Sequence, residues 1–470
     1  MATRTKLRTA LLPCLALVYA IAMPGTAAAA AEGAPHLDGG ELGLLWGLPF
    51  VGILLSIALF PLVAPNFWHH HFGKISAAWA LAFLVPFTIG YGFDLALYEL
   101  VHVALLEYIP FILLLFALFT VAGGVRLTGR LKGTPAVNTG LLLLGTFIAS
   151  WMGTTGAAML LIRPLLNANE GRRYRVHTVV FFIFLVANIG GSLSPLGDPP
   201  LFLGFLKGVP FFWVIQHCWV AWAIAIGLLI GVFLIFDAVN FRRAPKDVRD
   251  RETAGETWRF QGMHNLFFLL LILVGVFLYK YLPFPGPELV MIGAAVASYF
   301  TTPRPVHESN HFNFGPIKEV GWLFVGIFAT MVPALDYLQL HAGELGLSTP
   351  MQFYWFAGVL SGFLDNAPTY LTFLAAATGA EGLNINSPAD ILTFIGTNSH
   401  FLVAISLGSV FFGALSYIGN GPNLMVKSIA TQLGVKTPSF FGYLFLYSLP
   451  ILIPIYGVIA FLFFSKWAIF

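Results

Sequence analysis

The chain has 470 residues, of which 58% are hydrophobic and only 10% charged, with a formal net charge of +3. Soluble proteins run at about 25% charged, so the composition specifies a polytopic all-α membrane protein, and so small a positive balance gives no reason to invoke nucleic acid. Two cysteines, Cys14 and Cys218, exclude a disulfide framework and a cysteine metal site.

The first 31 residues read as a signal peptide. Arg4, Lys6 and Arg8 precede an apolar run from Ala10 to Met23 and a small-residue tract from Gly25 to Glu32. The run falls short of the ~20 residues of an ordinary span, so cleavage is expected near Ala30 or Ala31, which places the mature N-terminus outside the cytoplasm. Spans follow at 42–64, 75–94 and 96–124. The run His69-His70-His71 falls in a short loop and reads as an interfacial cluster, since no further ligand lies close in sequence. Long apolar segments at 138–165 and 176–206 and a span at 211–237 complete a first repeat, 32–237. A basic linker, 238–262, carries Arg242, Arg243, Lys246, Arg249, Arg251 and Arg259. The second repeat, 263–470, has spans at 263–282, 286–302 and 319–338, long segments at 349–378 and 391–428, and a last span at 439–465.

Positive charge orients the chain. The loops around Arg126, Arg130 and Lys132, around Arg163, Arg172, Arg173 and Arg175, and the linker should all be cytoplasmic. Segment 138–165 must then enter and leave by one face, as a re-entrant hairpin, or a hairpin followed by a broken helix, with Gly153-Thr154-Thr155-Gly156 at its tip. Non-helical backbone at that depth is tolerated only in a protein interior or a watery cavity.

The second half repeats the motifs in order. Ser150-Trp-Met-Gly-Thr154-Thr155 overlays Ser361-Gly-Phe-Leu-Asp365-Asn366, and Pro195-Leu-Gly-Asp198-Pro-Pro overlays Tyr417-Ile-Gly-Asn420-Gly-Pro. Odd numbers of crossings per half would make the repeats inverted, an architecture whose discontinuous helices hold substrate and coupling ion near the midplane. A carboxylate at that depth costs about 2.5–3.5 kcal/mol on insertion scales and usually persists for function. The candidate site therefore combines Asp365, Asn366 and Thr369 with Asp198, Asn188, Ser192 and Ser194, and Asp198 and Asp365 are the carboxylates for a transported Na⁺. Thr154, Thr155, Asn420 and Asn423 supply uncharged groups that complete coordination or bind an oxyanion.

Plainer roles are open to the same residues. Asp198 and Asp365 could be helix caps. Asp94, Glu99, His102 and Glu107 suit a membrane edge, Asp336, Lys280 and Glu288 should snorkel to water, and Arg163 and Lys427 read as orientation charges. His400 is a further titratable candidate.

The stretches Ala187-Asn-Ile-Gly-Gly-Ser-Leu-Ser-Pro-Leu-Gly-Asp-Pro-Pro, Leu364-Asp-Asn-Ala-Pro-Thr and Gly419-Asn-Gly-Pro-Asn423 resemble signatures of the ion transporter superfamily, namely its NhaD-type sodium/proton antiporters and the citrate-transporter branch beside them. The resemblance implies two inverted repeats with re-entrant hairpins and unwound helices, commonly in a homodimer, and places Asp198 and Asp365 at positions expected to bind cation or proton. The antiporters carry acids at the first hairpin tip, where this chain has Thr154-Thr155. The sequence thus reads as a secondary transporter in the inner (plasma) membrane of a bacterium, most simply a Na⁺/H⁺ antiporter, with a cation-coupled citrate or dicarboxylate transporter as the alternative. No His-Glu-x-x-His, Gly-x-Ser-x-Gly or phosphate-binding motif points to an enzyme or a cofactor.

Overall fold

The computed structural model describes residues 42–129, 131–246 and 257–469. The signal peptide expected over 1–31 lies outside them. Among the described residues, apart from one pair of three-residue strands, the regular structure is helical, with nine helices long and apolar enough to cross a membrane. A helix closes its backbone hydrogen bonds within itself, so it is the economical solution for so apolar a chain.

In chain order the helices are α1 (Leu48–Val63), α2 (Pro65–Tyr91), α3 (Phe93–Val103) and, after a π-turn, α4 (Ile109–Gly123). Strand β1 (Arg126–Thr128) follows, then α5 (Pro135–Met152), α6 (Thr154–Ala168), α7 (Val176–Leu185), α8 (Pro199–Leu206) and α9 (Trp213–Arg242). Strand β2 (Arg259–Gln261) precedes α10 (Asn265–Leu278), α11 (Gly286–Thr301), α12 (Arg304–Ser309), α13 (Gly315–Leu340), α14 (Pro350–Phe363), α15 (Asn366–Ala380), α16 (Pro388–Phe411), α17 (Gly421–Gln432), α18 (Phe440–Tyr443) and α19 (Leu449–Phe464). Proline stands in the first turn of most of these, where its missing N–H costs nothing; α14 adds a capping box between Thr349 and Gln352.

Two expectations are corrected here. The three histidines are not in a loop, because α2 begins at Pro65 and carries them in its opening turns, where His70 and His71 bond the carbonyls of Asn66 and Phe67. Helix α9 continues through Arg242, into the stretch read as linker, and β2 at that stretch's far end pairs antiparallel with β1, Leu127 opposite Phe260.

The hairpins α5–α6 and α14–α15 point in opposite directions. One end of the molecule, here the linker end, carries the β1–β2 pair, with Asn265 donating to the Gly124 carbonyl and Asn310 to those of Gly123 and Val125. The base of the first hairpin is pinned near this end by a buried network. Asn138 and Asn169, one at each foot, bond each other, and Asn138 also donates to Asp237 (3.0 Å), which takes Arg172 in an ion pair and His177 at 2.7 Å. The base of the second hairpin is held at the other end of α13, where Gln339 accepts from the Ile385 amide and Gly379 lies against the Gln339 backbone. There Lys207, just past α8, binds Glu107 (2.8 Å) and Asn386 (2.6 Å). Gly47, near the start of the described chain, lies against Ala334 at this same end of α13. The two hairpins therefore enter from opposite ends, and the described N-terminal part lies at the end opposite to Arg242 and strand β2.

Candidate functional site

Four chain breaks meet at one place, and each has a local cause. Gly153, between α5 and α6, has φ +82° and ψ 147°, near a region that only glycine occupies without strain. Asp198 is extended (φ −142°, ψ 142°) because Pro199 forbids a helical residue before it; Asn420, before Gly421-Pro422, adopts nearly the same geometry. Asp365 ends the fourth break, capping α15 through the Ala367 amide at 3.0 Å. Ser194 and Ser416 tie each unwound segment to its hairpin, donating to the carbonyls of Ser150 and Gly362 and accepting from the amides of Leu196 and Ile418.

Asp198 is the hub. Its Oδ1 accepts from Thr154 Oγ1 (3.1 Å) and Asn420 Nδ2 (2.9 Å), and its Oδ2 from Asn366 Nδ2 (2.5 Å). One carboxylate, 1% exposed, thus takes one donor from each of the other three breaks, and the hairpin tips at Thr154 and Asn366 approach within its width. The halves are bonded again where Asn420 Nδ2 also donates to the Ala187 carbonyl at 3.1 Å and Asn188 Nδ2 donates to Asn423 Oδ1 at 2.8 Å. Asn188 Oδ1, fully buried, accepts from nothing among the described residues.

These residues border a cavity of about 110 Å³ lined by Gly153, Thr154, Thr155, Asp198, Asp365, Asn366 and Asn420, with apolar walls from α4 and α13 that include Leu118 and Phe324. The helices α6, α8, α15 and α17 all begin here, since their N-cap residues Gly153, Asp198, Asp365 and Asn420 line it. Each helix N-terminus carries roughly half a positive charge. Four of them sum to about +2, which the two aspartates, when ionised, cancel. No Lys or Arg among the described residues lines the cavity, so neutralising the aspartates by proton or cation leaves a net field that favours an anion.

The remaining candidates fall outside the lining. Ser192, Ser194 and Thr369 donate to the carbonyls of Ile189, Ser150 and Asp365 and so shape the breaks, while Asn188 and Asn423 bridge the halves behind them. The helix starts set Thr154 opposite Asn366 and Gly153 opposite Asp365, one residue from the overlay drawn on sequence. His400 is exposed beyond an interruption of α16 at Asn398, and Lys427 sits 4.2 Å above the Tyr417 ring. Glu288 does not snorkel; it is 2% exposed in the first turn of α11. Sequence reasoning missed Ser416, although Ser-x-x-Gly precedes both Asp198 and Asn420, and it missed the apolar walls, for which no local signal exists.

A family model described as "Putative citrate transport" matches residues 39–464. No curated protein matches the chain. The match is to the citrate branch of the two that the motifs resemble, and it covers all but the ends of the sequence, so this multi-pass membrane protein belongs to the family described as putative citrate transport, a family of transporters.

Proposed function

We propose that the protein is a cation-coupled carboxylate transporter whose substrate is citrate or a related small polycarboxylate. The observation that carries this reading is the convergence of four helix N-termini on a cavity whose formal charges, among the described residues, are Asp198 and Asp365. With both ionised the field nearly cancels and an anion gains little; with Na⁺ or H⁺ bound, the helix ends are free to hold a carboxylate. Coupling follows from that arithmetic, since the anion binds well only after the cation. Asn188 Oδ1, a buried acceptor with no described donor, is a natural further ligand for a small hard cation. The same two aspartates support a second reading, Na⁺/H⁺ antiport, in which cation and proton alternate on them and no anion enters. With either reading go a bacterial plasma-membrane location, a homodimer, a removed leader over 1–31, and repeats over 32–237 and 263–470 joined by a cytoplasmic linker.

Proteoliposomes decide between them. Labelled citrate should accumulate when an inward Na⁺ or proton gradient is imposed and should not without one. Dissipation of a pH gradient on adding Na⁺, with no citrate accumulation under any gradient, would reject the carboxylate reading in favour of the antiporter.

A further inference from the structure

We infer a second anion site, at the linker end, in a cavity of about 500 Å³ bounded by β1, the last turns of α6 and the turn after α12. Its lining includes Arg126, Arg163, Asn167 and His311 and, among the described residues, no Asp or Glu. Both arginines are half-buried, and neither is in an ion pair among the described residues, whose ion pairs are Arg172 and His177 with Asp237 and Lys207 with Glu107. An orientation charge needs only to reach water. Two guanidiniums lining one cavity with no counter-charge among the described residues instead suit a ligand with at least two negative charges, which planar guanidinium groups bind bidentately.

The third wall is built under constraint. His311 takes a left-handed conformation (φ 50°), uncommon for a side chain larger than glycine's. It is held there by the bonds of its amide to the Glu308 carbonyl and of the Phe312 amide to the His307 carbonyl, and by buried Asn310 beside it. The site also lies on the helix that opens the central cavity, because Arg163 follows Thr154 by nine residues, about 13.5 Å along α6 at 1.5 Å per residue. Resting on the carboxylate-transport reading, the ligand class is a polycarboxylate, held on the cytoplasmic side by the positive-inside rule.

The test uses the full chain with Cys14 and Cys218 replaced by Ala and a single cysteine at Asn167, which is exposed on the cavity rim. The rate of labelling by a charged maleimide is measured in detergent against citrate concentration. By mass action labelling should slow about tenfold at a citrate concentration ten times its Kd. Protection should persist in Asp198→Asn, which disables the central cavity, and vanish in Arg126→Gln/Arg163→Gln while Arg126→Lys/Arg163→Lys retains part of it. No protection by citrate, or protection lost in Asp198→Asn but kept in the double Gln variant, overturns the site. Citrate uptake by the parent is measured in parallel: protection without uptake refutes the transport reading alone, and uptake without protection refutes this site alone. An anionic phospholipid headgroup has similar charge, so labelling is repeated in micelles containing phosphatidylglycerol without citrate; full protection by lipid, with no added effect of citrate, also overturns the polycarboxylate assignment.

Discussion

The bond between Asn366 and Asp198 joins two residues 168 positions apart in sequence at 2.5 Å, and its strength is measurable. Hydrogen bonds to charged groups contribute about 1.5–3 kcal/mol net, against roughly 0.5–1.5 kcal/mol between neutral partners. Neutral interhelical bonds in membrane proteins average nearer ~0.6 kcal/mol, because the unfolded chain in the bilayer also finds partners. Asn366→Ala in the parent should therefore cost about 1.5–2 kcal/mol, and in the Asp198→Asn background about 0.6 kcal/mol. The difference, a coupling of about 1 kcal/mol, exceeds the scatter of about 0.3–0.5 kcal/mol seen for independent sites. Reversible unfolding of the four proteins in mixed SDS micelles gives the cycle directly. Additivity within about 0.5 kcal/mol would show that the carboxylate does not bind the second hairpin tip, and would remove Asp198 as the hub.

Asp365→Asn should leave the fold intact, because Asn caps a helix as well as Asp, yet abolish cation dependence of transport; retention of a normal gradient requirement in uptake assays would exclude Asp365 from coupling. Gly153→Ala has steric room, the nearest atom to a Cβ being the Leu196 oxygen at 3.5 Å, but its backbone conformation should cost about 1–3 kcal/mol; thermal unfolding should show the loss at 153 and none for Gly140→Ala, which is helical with open space around it. Arg172→Gln leaves Asp237 buried without its cation and should cost about 3–5 kcal/mol, whereas the apolar pair Arg172→Met/Asp237→Leu should be milder; size-exclusion profiles that rank the two the other way would refute the assignment of this network as an ion pair. Single cysteines at Gly43 and Gln261, in a chain lacking Cys14 and Cys218, should label from opposite faces of the membrane, and labelling from one face would contradict the inverted repeats.

Local signals are strong in this sequence. Apolar runs of span length determine the helices, and Gly153 and Pro199 determine where two of the breaks fall, because a positive φ or a residue before proline disfavours helix whatever surrounds it. The order of these breaks is what suggests a repeat, and two aspartates inside apolar stretches mark the candidate site. What the sequence could not decide is which partners those groups take. That Asp198 collects Thr154, Asn366 and Asn420, while Asp365 turns to its own helix, depends on the packing of two inverted halves, and the one-residue offset between Thr154 and Asn366 is visible only once the helix starts are known. Asp237, Arg172 and His177 form a buried network, and Glu288 is enclosed, because tertiary contacts cover positions that look peripheral by distance from a span's end. The helix ends converge only in three dimensions, since each dipole runs along its own axis and the field at the cavity is their sum.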